Sequence, residues 1–229
     1  GYLQRGFTAF KMKIGRTANN HKMRLQFMNN GDFYLTPEED RARIALVRRT
    51  IGPDKILMVD MHCTWDMNDV LDAKEFFKEN NIFMVEEPIR SDDIAGYKRL
   101  TKEMGSIRVA GIESEQGLSR FGELIAEETM DVVQASLGWA GGFTVCKNIA
   151  TLAHAFNKLY TPHSFFSAVM TAANIQLAAS QVNIPFIEAE ENENPLRTEL
   201  LKEPIEADAH MNYYVTDKPG LGVELDWDV

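Results

Sequence analysis

The sequence has little of what marks a secreted or membrane-bound protein. Only two cysteines, Cys63 and Cys146, occur in 229 residues, which excludes a disulfide framework and favours a reducing, cytoplasmic setting. No apolar run approaches the ~20 residues of a bilayer span, because polar residues interrupt the longest candidate, residues 165–180. No signal peptide is visible, so a membrane is not an expected partner.

Positive charge is also scarce. The chain carries 24 lysines and arginines against 34 aspartates and glutamates, which gives a formal net charge of −10. An acidic chain repels the phosphates of DNA and RNA, so nucleic acid is not an expected partner. The His-x-His pair that an amidohydrolase-type barrel would carry at an early strand end is missing as well. Acidic residues gathered at one place would instead favour a metal cation.

What the chain does have is a series of short apolar runs that alternate with segments of helical period. The predicted strands are residues 7–14, 56–61, 82–86, 107–112, 131–136, 158–161 and 185–188. Most are continuously apolar, which is typical of parallel strands covered on both faces. A helix is predicted to start at the capping box Thr36-Pro37-Glu38-Glu39 and to end near Gly52. Ser91 is predicted to cap a later helix, and the polar segment 16–35 to form an inserted loop.

A polar residue stands at the end of each predicted strand. These residues are Lys13, Asp60, Glu86, Glu113, Ser136, His163 and Glu188. From Asp60 onward, they follow one another at intervals of 23 to 27 residues, about the length of one βα unit. Repeated right-handed βα units close into a barrel, and the reactive groups gather at the carboxyl ends of its strands. The spacing therefore predicts an α/β, TIM-like barrel with these residues on one rim.

Three carboxylates on this rim predict a metal site. Asp60, Glu86 and Glu113 come from consecutive strand ends, and they would repel one another unless a cation joined them. Oxygen ligands without cysteine select Mg²⁺, with Mn²⁺ as an alternative, over zinc. Glu87 is predicted to face the other side of its strand and to make a structural contact. The competing interpretation is three unrelated surface carboxylates at the starts of loops.

Several neighbouring groups could handle protons. Lys11 and Lys13 lie on the same face of one strand, where one of them could lose its proton and act as a general base; otherwise they form ordinary salt bridges. His163 could donate or accept a proton. His62 could protonate a leaving hydroxyl, or it could pack in its loop or bond a ligand carboxylate. Glu188 could bond a substrate oxygen on which charge develops, or pair with a lysine. A metal beside a base predicts removal of the proton α to a carboxylate, with the metal stabilising the enediolate.

These motifs resemble the barrel domain of the mandelate racemase group of the enolase superfamily. The matching pieces are Phe10-Lys11-Met12-Lys13, Val59-Asp60, Val85-Glu86-Glu87-Pro88, Gly111-Ile112-Glu113, Ala140-Gly141-Gly142, Pro162-His163 and the closing Pro219-Gly220-Leu221-Gly222-Val223. The resemblance implies a modified (β/α)7β barrel over residues 1–194. It also implies that residues 195–229 form an extension that packs on the barrel or on an N-terminal α+β capping domain. That domain is missing from this chain, so we expect a piece of a longer, homo-oligomeric enzyme.

The resemblance also implies roles for individual residues. Asp60, Glu86 and Glu113 correspond to the family's Mg²⁺ ligands. Lys13 corresponds to its base and Lys11 to the residue that tunes this base. His163 corresponds to the acid/base on the opposite face, and Glu188 to an acidic hydrogen-bond donor.

Two departures from the family pattern favour dehydration. Ser136 stands where an aspartate usually partners the histidine, which makes His163 a general acid or hydrogen-bond donor rather than a strong base. His62 stands where many members have asparagine, and some acid-sugar dehydratases have this histidine. We therefore expect a hydro-lyase that converts an aldonate or aldarate into a 2-keto-3-deoxy acid. A racemase, an epimerase or a cycloisomerase of a carboxylate substrate is the alternative, and a non-catalytic metal-binding barrel is a further one.

Overall fold

The computed structural model describes residues 1–15 and 35–228. The predicted inserted loop therefore lies outside the described residues, apart from Leu35. By its internal contacts the chain divides into two compact units. The first comprises residues 1–111 and 128–131, and the second comprises residues 112–127 and the chain from 132 onward. The domain boundary predicted at 194/195 falls within the second unit and stays a prediction.

The first unit contains a parallel sheet. Its strands are β1 (Ala9–Lys13), β2 (Ile56–Asp60), β3 (Ile82–Glu86) and β4 (Arg108–Gly111), and each pairs with the next in chain order. The register places Lys13 opposite Asp60, Asp60 opposite Glu86, and Glu86 opposite Ala110. The last residues of β1, β2 and β3 therefore form one row across the parallel sheet, which continues to Ala110, the penultimate residue of β4.

Helices connect these strands. They are α1 (Pro37–Ile51), α2 (Met67–Asp72), α3 (Lys74–Glu79) and α4 (Ile94–Met104), and a short 3-10 helix covers Tyr2–Arg5. The predicted capping box is confirmed, because Thr36 accepts from the backbone N–H of Glu39 while the Glu39 carboxylate accepts from that of Thr36. The predicted cap at Ser91 is wrong. Asp93 caps α4 instead, by accepting from the N–H of Gly96 at 2.9 Å.

The second unit contains shorter strands. Its elements are α5 (Leu118–Ala126), β5 (Val132–Val133), α6 (Gly142–Ala155), β6 (Leu159–Tyr160), α7 (Ala168–Ala179) and α8 (Pro195–Thr198), and β5 pairs with β6 in parallel. The predicted strand at 185–188 is wrong, since these described residues form none. After Pro185 the run has only two apolar residues, Phe186 and Ile187, and so short a run does not define an element by its pattern. Among the described residues, no helix has the length and apolar character that a bilayer span requires.

Candidate active site

Four charged side chains of the first unit form a compact cluster at the ends of β1, β2 and β3. The Lys11 ammonium donates to both oxygens of Glu86, at 2.7 and 2.8 Å. Lys13 Nζ lies 2.5 Å from Asp60 Oδ2, and Lys11 Nζ lies 3.8 Å from the same oxygen. Both carboxylates are almost fully buried, with Asp60 2% and Glu86 1% exposed. Two buried carboxylates therefore pair with two lysines that remain partly exposed, Lys11 at 24% and Lys13 at 51% of the side chain.

The lysines keep Asp60 ionised. Burial alone would raise the pKa of Asp60, but the charges of Lys11 and Lys13 outweigh burial and hold the pKa below its ordinary value. The backbone N–H of His62 also donates to Asp60 Oδ1 at 2.8 Å. Within this unit, the lysines thus supply part of the positive charge that the sequence analysis assigned to a metal.

The predicted metal ligands have the chemistry that Mg²⁺ prefers, each within its own unit. Asp60 and Glu86 present buried carboxylate oxygens from neighbouring positions of one register row. Glu113, at 8% exposure, is a buried carboxylate of the second unit. All three are hard oxygen donors, which Mg²⁺ prefers over nitrogen or sulfur ligands.

Glu87 serves a different set of contacts from Glu86. Its Oε2 lies 3.4 Å from His62 Nδ1 and accepts from the Cys63 thiol at 3.3 Å. The bond to Glu87 raises the pKa of His62 above its ordinary value, although burial and Lys13 oppose it. His62, Cys63 and Glu87 all have left-handed backbone conformations, with φ of 47°, 60° and 40°. Such strained positions concentrate at functional sites.

An ion pair between a buried aspartate and a partly exposed arginine fixes the end of β1 just beyond Lys13. Asp40 of α1, only 1% exposed, accepts from the Gly15 N–H and from Arg43, each at 2.8 Å. Arg43 also donates to the carbonyl of Lys13 at 3.2 Å. The sequence analysis missed this pair, and its only sequence signal is an i, i+3 Asp–Arg spacing that is common on helices.

The second unit holds the remaining predicted residues. His163 Nε2 lies 3.5 Å from Glu113 Oε2, and both residues are 8% exposed. Glu188 accepts from the backbone N–H of Ser164 at 2.6 Å, directly after His163 in the chain. The unit therefore places Glu113 beside His163, and anchors Glu188 to the residue that follows this histidine.

Two aromatic residues that the sequence analysis missed enclose the His163 ring. Trp139 stacks on it, with ring centroids 5.2 Å apart and planes inclined by 17°. Phe166 meets it edge-on at 5.5 Å. The signal that could have pointed to Trp139 is its position in a short glycine-containing turn between Ser136 and the glycines that open α6.

Comparison with known proteins identifies the family. A family model described as enolase C-terminal domain-like matches residues 1–229. The chain belongs to this family. The resemblance inferred from the sequence motifs is therefore confirmed.

Two curated relatives act on sugar-derived acids or lactones, as their names state. The chain is 28% identical over 224 residues to the arabinonate dehydratase of Saccharolobus solfataricus, a match that covers 98% of this chain and 54% of that protein. It is 33% identical over 233 residues to the D-galactarolactone cycloisomerase of Agrobacterium fabrum, covering 97% and 56%. The chain thus spans about half the length of the curated relatives it matches.

A solved structure supports the predicted architecture. The 3,6-anhydro-D-galactonate cycloisomerase from Zobellia galactanivorans superposes with a TM-score of 0.85 at 31% identity, over 99% of this chain and 58% of that one. The predicted α/β, TIM-barrel-like fold class is therefore confirmed.

Proposed function

We propose that this chain is the catalytic barrel of a Mg²⁺-dependent sugar-acid dehydratase. The observation that carries the proposal is the ion pair of Lys13 with Asp60, 2.5 Å long, in a register row that continues to Glu86. It puts an amine, the candidate base, against the carboxylates that are the candidate metal ligands. A base beside a metal site is the arrangement that removal of an α-proton from a carboxylate requires.

Asp60, Glu86 and Glu113 would hold the metal. When bound, Mg²⁺ supplies positive charge for the carboxylate oxygens of the substrate. Lys11, which contacts both oxygens of Glu86, adds a fixed ammonium to the same field. Such a field stabilises negative charge that develops as the α-proton leaves.

Different residues of the chain then carry out the two proton transfers. Lys13 takes the α-proton. The bond between the β-carbon and its hydroxyl breaks, and a proton from His163 lets the hydroxyl leave as water. The resulting enol tautomerises to a 2-keto-3-deoxy acid. Glu188, anchored by the Ser164 N–H, bonds the substrate oxygen that gains charge.

The surroundings of the two histidines favour His163 as the acid. Its ring is 89% buried and bounded by Trp139 and Phe166, so its direction is defined. The side chain of His62 is 55% exposed, and its Nδ1 faces Glu87 rather than Asp60. His62 is thereby assigned to holding the ends of β2 and β3, and its role as acid is the alternative.

Cycloisomerisation is the second candidate function. The 33% identity to a D-galactarolactone cycloisomerase favours it, because such a reaction could use the same base. The 28% identity to an arabinonate dehydratase supports the first proposal. Both relatives point to an acid-sugar substrate class, and racemisation or epimerisation remains an outcome of the test.

The test is a substrate panel with the full-length protein. Purified, folded protein with Mg²⁺ is incubated with aldonates, aldarates and their lactones, and each mixture is assayed for 2-keto acid. Dehydration is expected for at least one acid, and Lys13→Ala provides the inactive control. In D₂O, exchange with inversion and no loss of water would identify a racemase or epimerase. Ring opening or closure at constant mass would identify a cycloisomerase. No reaction with any member of the panel, or an active Lys13→Ala variant, would contradict the proposal.

A further inference from the structure

The aromatic contacts of His163 suggest how this ring is oriented. Trp139 stacks on the imidazole at 5.2 Å, and Phe166 lies edge-on to both rings, 5.5 Å from His163 and 5.4 Å from Trp139. Stacked and edge-to-face arrangements have preferred geometries, so together they restrain the plane of a ring as well as its position. Glu113, whose Oε2 lies 3.5 Å from Nε2, contacts the edge of the imidazole.

A tight turn delivers Trp139 to this contact. The carbonyl of Ser136 accepts from the N–H groups of Trp139 and Ala140, at 3.2 and 2.8 Å. The hydroxyl of Ser136 accepts from the N–H of Gly138, at 3.2 Å. Ser136 thus ties the turn together from its backbone and its side chain.

The absence of a side chain at Gly138 also matters. A Cβ placed there would lie 3.2 Å from the Met170 side chain and 3.6 Å from that of Phe166. The first distance is tight, so the Met170 side chain would have to shift slightly to accommodate a Cβ. The glycine therefore lets Met170 and Phe166 approach the turn closely.

We propose that Trp139 is the positioning residue for His163 and that it orients the imidazole by stacking. The chain has the neutral Ser136 at the position where an aspartate usually partners this histidine. This inference rests on the proposed function, in which His163 is the acid. Trp139 acts through the plane of the imidazole, which sets the direction of Nε2. A catalytic group displaced by about 1 Å can lose a hundredfold in rate, so the orientation matters for kcat.

The experiment compares Trp139→Leu and Trp139→Met with Trp139→Phe in the full-length protein. The first two remove the ring, whereas phenylalanine keeps a stacking surface. Loss of the ring should lower kcat by about 10 to 100-fold with KM changed less than about threefold. The kcat of Trp139→Phe should stay within about threefold of that of the wild type. Phe143→Leu, at an aromatic residue of similar exposure (37% against 39%), is the matched control and should change neither constant.

A spectroscopic arm reads the orientation without turnover. Histidines are selectively labelled with ¹³C, and His163→Asn identifies the His163 signals. Stacking shifts the ring-proton signals of His163 away from those of the exposed His210. They should move toward His210 in Trp139→Leu and Trp139→Met, and keep most of their shift in Trp139→Phe. Signals that stay in place in the ring-less variants would overturn the inference.

The kinetic outcomes separate positioning from other roles. A raised KM with an intact kcat would make Trp139 a substrate contact. Equal losses of kcat in Trp139→Phe and Trp139→Leu would contradict a role for stacking. In a double mutant, Trp139→Leu should add nothing to His163→Asn, because a residue that acts through the histidine has nothing left to orient. If the wild type turns over no acid, the proposed function fails, and the His163 signals still decide whether Trp139 orients the ring.

Discussion

The two compact units hold their candidate catalytic groups by different physical means. In the first, the groups form ion pairs: Lys11 contacts both oxygens of Glu86, and Lys13 lies 2.5 Å from Asp60. In the second, His163 lies against two aromatic rings. Coulomb attraction falls slowly with distance, whereas dispersion contacts lose much of their energy when the atoms separate by about an ångström. The first unit therefore fixes where charge sits, and the second fixes which way a ring points.

The largest expected effect tests the charged cluster of the first unit. Replacing Lys13 with methionine removes the proposed base but keeps most of the side-chain bulk. We expect kcat to fall by about 10³-fold or more, near the upper range for a general base. Lys102→Met, at an exposed lysine of α4, is the control and should leave kcat unchanged. Steady-state kinetics on the substrate found in the panel gives the answer, and similar losses in both variants would remove Lys13 from the mechanism.

The next effect tests the second unit. His163→Asn should slow the loss of water by about 100-fold, because the departing hydroxyl no longer receives its proton. Lys13 is untouched, so exchange of the α-proton in D₂O should continue. His62→Asn is the matched histidine variant and should reduce elimination much less. A reversed ranking would transfer the role of acid to His62.

A smaller effect tests the proposed metal ligands one at a time. If Asp60 and Glu113 are Mg²⁺ ligands, then Asp60→Asn and Glu113→Gln should each weaken Mg²⁺ binding by at least about tenfold. Titration calorimetry on the full-length protein measures this directly. Asp72→Asn, at an exposed acid, is the control. Unchanged Mg²⁺ binding in either variant would remove that residue from the proposed ligand set.

The smallest effect concerns the support of β1. Asp40→Ala leaves the Gly15 N–H and the Arg43 guanidinium without their shared acceptor. We expect a loss of about 1–3 kcal/mol in the free energy of unfolding, measured by urea denaturation. Asp54→Ala, at an exposed residue, should cost much less. An unchanged midpoint for Asp40→Ala would show that the contacts of Asp40 contribute nothing net to the free energy of unfolding.

The charged row of the first unit was predictable from the sequence because parallel strands in step translate spacing into position. Lys13, Asp60 and Glu86 end three predicted strands, and the register aligns them. The capping box at Thr36 was predictable for a similar reason, since its partners lie three residues apart. Local periodicity carries such information directly.

The contacts of the second unit were less predictable because they depend on packing between distant residues. Nothing in the residue spacing alone brings Trp139 onto His163, 24 positions later. The strand predicted at 185–188 shows the same limit, because an apolar run this short does not define an element by its pattern. Asp40 was missed because an acidic residue on a helix is usually exposed.

The two cysteines have a practical consequence. Burial and the Glu87 carboxylate raise the pKa of the Cys63 thiol, and burial raises that of Cys146, so both carry less of the thiolate that alkylating reagents attack. A cysteine introduced at an open position such as Val182, which is 85% exposed, would react with maleimide well before either native thiol. A fluorophore or spin label could then be attached at one chosen point without first removing the native cysteines.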